Sequence, residues 1–289
     1  MTRRHLGMLV VLAAIWGASF MFIKVALRDL DPIAVVWLRI TLAAVVLVPA
    51  ALTVLGRRAL SELGPRWRDL AVMAVFNSAL PFLMLSWAET RIDSGLAALL
   101  QAAAPLFTAL ILVRVGSDRV TGSRLLGVLV GFVGVSLLVG VDGARVDVIA
   151  ALAVVFTGFC YAASGVYGGL HLRGVHPLVI GAGSMVIASL VTAPFALFSL
   201  PESVPGWKET GSILALGLVG TGIAYMLFFA ILTGAGASRS ILVTYLVPAA
   251  ALAYGALLLD EPVTATAVAG LALILAGVAL GTRRVPSPA

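Results

Sequence analysis

Charge is what this sequence has least of. Only 11% of its 289 residues are Asp, Glu, Lys or Arg, against roughly 25% in a soluble domain whose surface must be wetted. With 61% hydrophobic residues, a globule of this size cannot cover itself with polar groups, so its outer surface must face lipid. Cysteine is almost absent. The lone Cys160 excludes an intrachain disulfide and any multi-thiolate metal site, and in its apolar run it reads as a small buried hydrophobe. No Gly-x-x-x-x-Gly-Lys-Ser/Thr loop occurs, which removes direct ATP hydrolysis. The three histidines, His5, His171 and His176, fall at span ends, and no Ser/His/Asp set shares one depth. Neither an enzyme nor a cofactor or metal centre is expected. The net charge of +6 comes from basic residues scattered in short clusters without a basic face, so nucleic acid is not an expected partner.

What the chain does have is apolar length. Crossing the ~30 Å hydrocarbon core of a bilayer takes about 20 apolar residues. Uncharged runs give ten spans, at 6–27, 33–55, 69–89, 93–114, 123–141, 148–170, 177–200, 211–233, 238–259 and 262–282. The first follows Arg3 and Arg4 as a signal peptide would, but it is too long for one, lacks a cleavage site and is read as a retained helix. The eighth has no charge to mark its end, so the turn is placed at Gly234, Gly236 and Ser238. Loop charges orient the chain. With the N-terminus cytoplasmic, thirteen of the nineteen Lys and Arg lie inside (Arg57, Arg58, Arg66, Arg68, Arg114 and Arg173 among them), while Arg28, Arg91, Arg145 and Lys208 lie outside. The expectation is a multi-pass inner-membrane protein with both termini cytoplasmic.

The chain also repeats itself. At an offset of 143, residues 79–138 overlay 222–281 without a gap: Pro105 meets Pro248, Gly127 meets Gly270, Gly134 meets Gly277, and Asp118 meets Glu261. Nearer the front of each half the offset is 145, with Ser19 meeting Ser164, Pro32 meeting Pro177 and Trp16 meeting Tyr161. Five spans per copy is an odd number, so the second copy must enter the membrane from the opposite side. The expected fold is therefore all-α, ten transmembrane helices in two inverted five-helix repeats around a central cavity. The first repeat is expected over 1–142, the second over 147–282, with a cytoplasmic tail at 283–289. Inverted repeats typify secondary carriers, with a site near the midplane and alternating access by exchange of the two conformations.

Several motifs together resemble the EamA-type transporters of the drug/metabolite transporter superfamily. They are Trp16-Gly17 followed by Lys24, Pro32 and Arg39 in span 2, and a twice-repeated proline, acidic residue and glycine pair in spans 4–5 and 9–10. The first half departs slightly, with Ser117-Asp118 where the family usually has Glu. The resemblance implies a carrier of small organic metabolites in which helices 1, 3, 4, 6, 8 and 9 surround the cavity and helices 5 and 10 brace it. It also points to the bacterial branch of amino-acid and metabolite exporters.

Within the spans, an ionised side chain costs at least ~2.5 kcal/mol at the bilayer centre. Lys24 either snorkels and pairs with Asp29, Asp31 or Glu89, or supplies positive charge where a substrate carboxylate binds. Arg39 reads as structural. No Asp or Glu lies mid-span, which disfavours a cationic drug. Glu89, at the outer end of span 3, is the nearest candidate for proton coupling and is expected to cap or pair in a loop. The substrate-binding candidates are Trp16, Ser19, Phe20, Lys24, Asn77, Gln101, Tyr161, Ser164, Tyr225 and Tyr245. Intramembrane amides must face protein or water, and Ser19 and Ser164, as repeat equivalents, are expected to face the pseudo-twofold axis. Pro105 and Pro248 each remove a backbone donor and kink their helices, so they are candidate hinges. Gly127-x-x-x-Gly131 and Gly277-x-x-x-Gly281 suit close helix contact between spans 5 and 10 or a dimer face. The expected function is export of a neutral or zwitterionic metabolite, an amino acid first, by a monomer or weak homodimer in the bilayer. The alternatives are a nucleotide-sugar or phosphorylated-sugar exchanger, which would need more cavity Lys and Arg, and a membrane-embedded enzyme or non-transporting partner protein.

Overall fold

The computed structural model describes residues 3–115, 122–140, 147–236, 240 and 242–281. Every element among them is helical. Seven helical runs are long and apolar enough to cross a membrane, and three shorter apolar helices complete the ten expected passes.

The first pass is α1 (Arg3–Ala26) and the second α2 (Pro32–Leu55), which starts on an extended Asp31 followed by Pro32, a pairing preorganised for a helix start. Gly56, at φ 57°, ends α2. The third pass begins at Arg57 rather than near 69. It runs through α3 (Arg57–Leu63), a 3-10 turn, α4 (Trp67–Ala74), a π-helical stretch (Val75–Ala79) and α5 (Leu80–Glu89). The fourth pass is broken, with α6 (Ser94–Gln101) separated from α7 (Ala104–Arg114) at Ala102 and Ala103. Pro105 sits in the first turn of α7, where its missing N–H costs nothing. The fifth pass is α8 (Gly122–Gly140).

In the second half, Asp147 opens α9 (Val148–His171) by accepting the Ala150 N–H at 3.0 Å, and His176 does the same for Leu178 at the head of α10 (Pro177–Leu197). The eighth pass joins α11 (Trp207–Leu214), a π-helical stretch (Ala215–Ile223) and α12 (Ala224–Ala235). It stops at Gly236, whose φ of 86° explains the glycine there. The remaining passes are α13 (Val243–Leu258), with Pro248 inside it, and α14 (Ala265–Gly281). The two repeat-equivalent prolines thus act differently: Pro105 begins a new helix and Pro248 is absorbed in a continuous one. Asp118 and the turn at Ser238 lie outside the described residues.

The packing is that of inverted repeats. α1 packs on α13 as α9 packs on α7, the π-helical stretch of one half lies beside α9 and that of the other beside α1, α2 packs on α10, and α8 on α14. Each pair maps to its counterpart when the halves are exchanged. Lys24, in the last turn of α1, donates to the Glu89 and Ile92 carbonyls at 2.7 Å, and Arg91 between them pairs with Asp147 at 3.1 Å. The end of α1 and the start of α9 therefore sit at the same end of the bundle, and these equivalent helices run antiparallel.

Glycine sets the closest approaches. A Cβ on Gly17 would lie 2.6 Å from that of Ala250, so α1 and α13 touch backbone to backbone. A Cβ on Gly277 would meet the carbonyl of Gly127 and the backbone of Gly131, and one on Gly134 the carbonyl of Gly270. The small-residue strips expected in spans 5 and 10 are pressed against each other within the chain. Large apolar side chains such as Ile149, Leu190 and Phe195 face outward, as lipid contact requires.

Candidate functional site

Two polar regions stand out in this apolar bundle, one in its interior and one at the end carrying Glu89.

The interior region is assembled by the π-helical stretches. A π turn shifts the backbone bonding from i→i−4 to i→i−5 and turns side chains off the regular face, and such turns favour functional sites. In the first, Pro81 can donate no hydrogen bond to the residue four earlier, which is Asn77. The side chain of Asn77 lies in this irregular stretch: its Nδ2 donates to the Tyr225 hydroxyl (3.3 Å), and its Oδ1 accepts from Ser164 (3.1 Å). Ser164 also reaches the Tyr161 carbonyl at 3.0 Å. Trp16 meets Tyr225 edge to face at 6.5 Å and Phe228 at 5.5 Å. In the second stretch the Thr221 hydroxyl bonds the Leu216 carbonyl at 3.0 Å and accepts the Arg39 Nε at 2.9 Å.

Arg39 is the unexpected member of this cluster. It neither snorkels nor pairs with an acid. It is 6% exposed, lies over the Phe82 ring at 3.7 Å, and has Tyr161, Tyr225 and Glu89 in electrostatic reach. Its Nη1 has no hydrogen-bond partner among the described residues. A cation over an aromatic face gains about 2 kcal/mol or more when desolvated, but an unmade bond from a buried charge leaves a substantial penalty standing. Sequence pattern underrated Arg39 because Thr221 and Phe82, its partners, are unremarkable residues in distant spans.

The structure thus brings together Trp16, Asn77, Tyr161, Ser164 and Tyr225. It does not bring the rest to the same place. The Ser19 hydroxyl turns back to the Ile15 carbonyl at 3.1 Å, while Phe20 and Tyr245 join the packing around α1 and α6. Gln101 ends α6 with a buried Oε1 lacking a partner.

Lys24 is committed elsewhere. Its ammonium donates to the carbonyls of Glu89 and Ile92, each at 2.7 Å, and so caps the C-terminal end of α5, where a cation is favoured by the exposed carbonyls. Beside it a cavity of about 350 Å³ is lined by Lys24, Arg28, Glu89, Thr90, Asp93 and Glu261. Glu89, expected to cap or pair, does neither among the described residues: it is 0% exposed and both carboxylate oxygens lack a partner there.

Glu261 provides the capping instead. Its carboxylate accepts from the Ser94 N–H (2.8 Å), the Ser94 hydroxyl (2.9 Å) and the Gly95 N–H (2.9 Å), fastening the turn between α13 and α14 to the start of α6. A Cβ on Gly255 would collide with this carboxylate, so the glycine makes its seat. The Asp147 carboxyl nearby is held below the usual carboxylate range by the Ala150 N–H it accepts and then by Arg91.

Comparison with known proteins agrees with this architecture. The profile of the EamA-like transporter family matches residues 5–140 and again 148–283. The chain is 29% identical to an uncharacterized transporter of Archaeoglobus fulgidus, over 96% of this chain and 98% of the relative. It is 28% identical to a probable terminal-alkyne amino-acid exporter of Streptantibioticus cattleyicolor, covering 96% and 92%. It is 25% identical to a probable amino-acid metabolite efflux pump of Salmonella typhimurium, covering 96% and 94%. A solved crystal structure superposes with a TM-score of 0.69 at 19% identity, covering 98% of this chain and 97% of the other, which bears on the fold alone.

Proposed function

We propose that this chain, which belongs to the EamA-like transporter family, is a secondary carrier that exports small zwitterionic metabolites, apolar amino acids foremost, by alternating access. The observation that carries the reading is Arg39, a guanidinium buried among helices with one donor unspent. A substrate carboxylate is the natural acceptor for that donor, since charge-assisted bonds to a guanidinium fork are stronger than neutral ones. The Asn77–Tyr225–Ser164 network offers neutral oxygens to an ammonium group. Trp16, Tyr225 and Phe228 present aromatic surface to an apolar side chain. Two relatives named for amino-acid or amino-acid metabolite export support the substrate class.

A sugar-phosphate or nucleotide-sugar exchanger would need a second cation beside Arg39. Lys24, the other basic residue set inside a span away from its cytoplasmic end, is engaged by two carbonyls. The bias of thirteen Lys and Arg toward the side of the termini supports an inner-membrane carrier with both ends cytoplasmic and the Glu89 end facing out.

Reconstituted protein in liposomes loaded with unlabelled phenylalanine tests the reading. Labelled phenylalanine and leucine should enter by exchange, and Arg39→Gln should raise KM by about tenfold or more, the loss expected for one charge-assisted bond. Absence of exchange for every amino acid tried would sink the substrate assignment. An unchanged KM in Arg39→Gln would sink the site.

A further inference from the structure

A carboxyl without a hydrogen-bond partner among the described residues, buried against a cavity whose lining includes exposed residues, calls for a ligand. Glu89 is that group: it lines the cavity with Lys24, Arg28, Thr90, Asp93 and Glu261, is 0% exposed, and leaves both oxygens unpartnered. Thr90, at the rim, is exposed, and so is Arg28.

The surrounding charges narrow what the ligand is. Lys24 from α1, Arg39 from α2 and Glu261 from the turn before α14 lie in electrostatic reach of the carboxyl. Arg28 and Asp93 stand at the rim, and Asp147, at the head of α9, is already paired with Arg91. α6 and the π-helical stretch before α5 contribute no ionisable residue. A metal ion would need several oxygen ligands close together, and here Glu261 is spent on three hydrogen bonds to the start of α6. An organic ammonium would have to displace the ammonium of Lys24 already present. A proton needs neither a ligand cage nor room.

We propose that Glu89 is the proton-binding site that drives this carrier, exchanging its proton with water through the cavity it shares with Lys24 and Glu261. This rests on the transport reading above. Binding converts the carboxylate and a water-borne proton to the neutral acid; release returns the proton to water and leaves an anion without a donor. Lys24 is the group placed to answer that anion, because its ammonium is already 2.7 Å from the carbonyl of the same residue. Its transfer from the carbonyls of Glu89 and Ile92 to the carboxylate would uncap α5 beside the Glu261 fastening. Proton occupancy and closure of this end are thereby linked through one ammonium group.

The test uses full-length protein, wild type and Glu89→Gln, in two measurements. In liposomes, wild type should concentrate labelled phenylalanine with the pH gradient, by about tenfold per pH unit for one proton per substrate. Glu89→Gln should lose that accumulation yet keep gradient-free exchange near the wild-type rate. Independently of any substrate, infrared spectra recorded across a pH titration should contain the carbonyl band of a protonated carboxyl that Glu89→Gln lacks. Accumulation by Glu89→Gln equal to wild type, exchange by wild type that ignores the gradient, or a titrating band that survives the substitution would each overturn the proposal. Where no amino acid moves at all, the transport reading fails and the infrared band still decides the proton site. Should Glu89→Gln not fold, Glu89→Asp retains a carboxyl and should keep the band at a shifted midpoint; an unshifted band would count against Glu89.

Discussion

Ser164 and Ser19 occupy equivalent places in the two halves, and residues 77 and 220 correspond when the offset of 143 is carried two residues ahead of 79 and 222. The first pair meets as a hydrogen bond, Ser164 to Asn77 at 3.1 Å. The second meets across bare backbone, where a Cβ on Gly220 would lie 2.9 Å from the Ser19 oxygen. The same two helices cross in the same way, and only one crossing carries an amide. The π-helical stretches around them teach the same lesson. In one half the irregularity precedes Pro81; in the other it holds three glycines and a Thr221 hydroxyl that satisfies the Leu216 carbonyl. Duplication has preserved the backbone geometry while the chemistry has drifted, so the polar site is lopsided about the pseudo-twofold axis. The helix-2 guanidinium leans on the second half's threonine, and the first half's amide leans on the second half's tyrosine.

That lopsidedness can be broken by substitution, starting with the fastening at the Glu89 end. Glu261→Ala removes an acceptor serving three donors at the head of α6. Charge-assisted bonds contribute about 1.5–3 kcal/mol each in favourable cases. Of all these substitutions it should lower the melting temperature of detergent-purified protein the most, with exchange becoming leaky. Asn77→Gly makes the first half imitate the second. It takes the amide donor from the Tyr225 hydroxyl and leaves Ser164 only the Tyr161 carbonyl, and should cost about 1–3 kcal/mol of stability for the group left unsatisfied, together with most of the exchange rate. The reciprocal Gly220→Asn should not restore a symmetric site, because its Cβ has no room against Ser19; a rise in activity would show that the second crossing is more yielding than its packing indicates. Pro81→Ala restores a donor and sharpens the comparison of the π stretches. The first should regularise toward α-helix, seen as a protected amide at position 81 bonded to the Asn77 carbonyl, while the second stays unchanged.

The smallest effect belongs to Asp147. Its carboxyl is held low by the Ala150 N–H and Arg91, so the stability it adds is full above the ordinary carboxylate range and is lost as pH falls through the depressed value. Asp147→Asn should flatten that acid limb of the thermal unfolding profile and leave neutral-pH exchange untouched.

Much of the architecture is legible in the sequence because bilayers impose coarse rules. Span length, the Pro32/Pro177 and Gly134/Gly277 matches and an odd number of passes per copy lead to inverted halves without coordinates. Broken backbones are less legible. Pro105 predicts a kink, yet the chain separates into two helices there, while its equivalent Pro248 stays inside one. The π stretches leave no periodic signature, since hydropathy is blind to a one-residue slip of hydrogen bonding. The interior cluster is half visible. Trp16, Asn77, Tyr161, Ser164 and Tyr225 are polar or aromatic in apolar runs, which is what pattern detects. Lys24 shares that signal and belongs to a helix end instead. Arg39 reads as structural and Glu89 as a loop cap because burial of a charge depends on which distant helices cover it, and sequence distance carries no such information.

The seam between α8 and α14 bears on motion. Gly277 rests on the backbone of Gly127 and Gly131, and Gly134 on that of Gly270. Where main chain meets main chain there are no rotamers to exchange, and Leu138 and Ile274 pack into the same seam beside it. Sliding α8 along α14 would break these close approaches without offering others in their place.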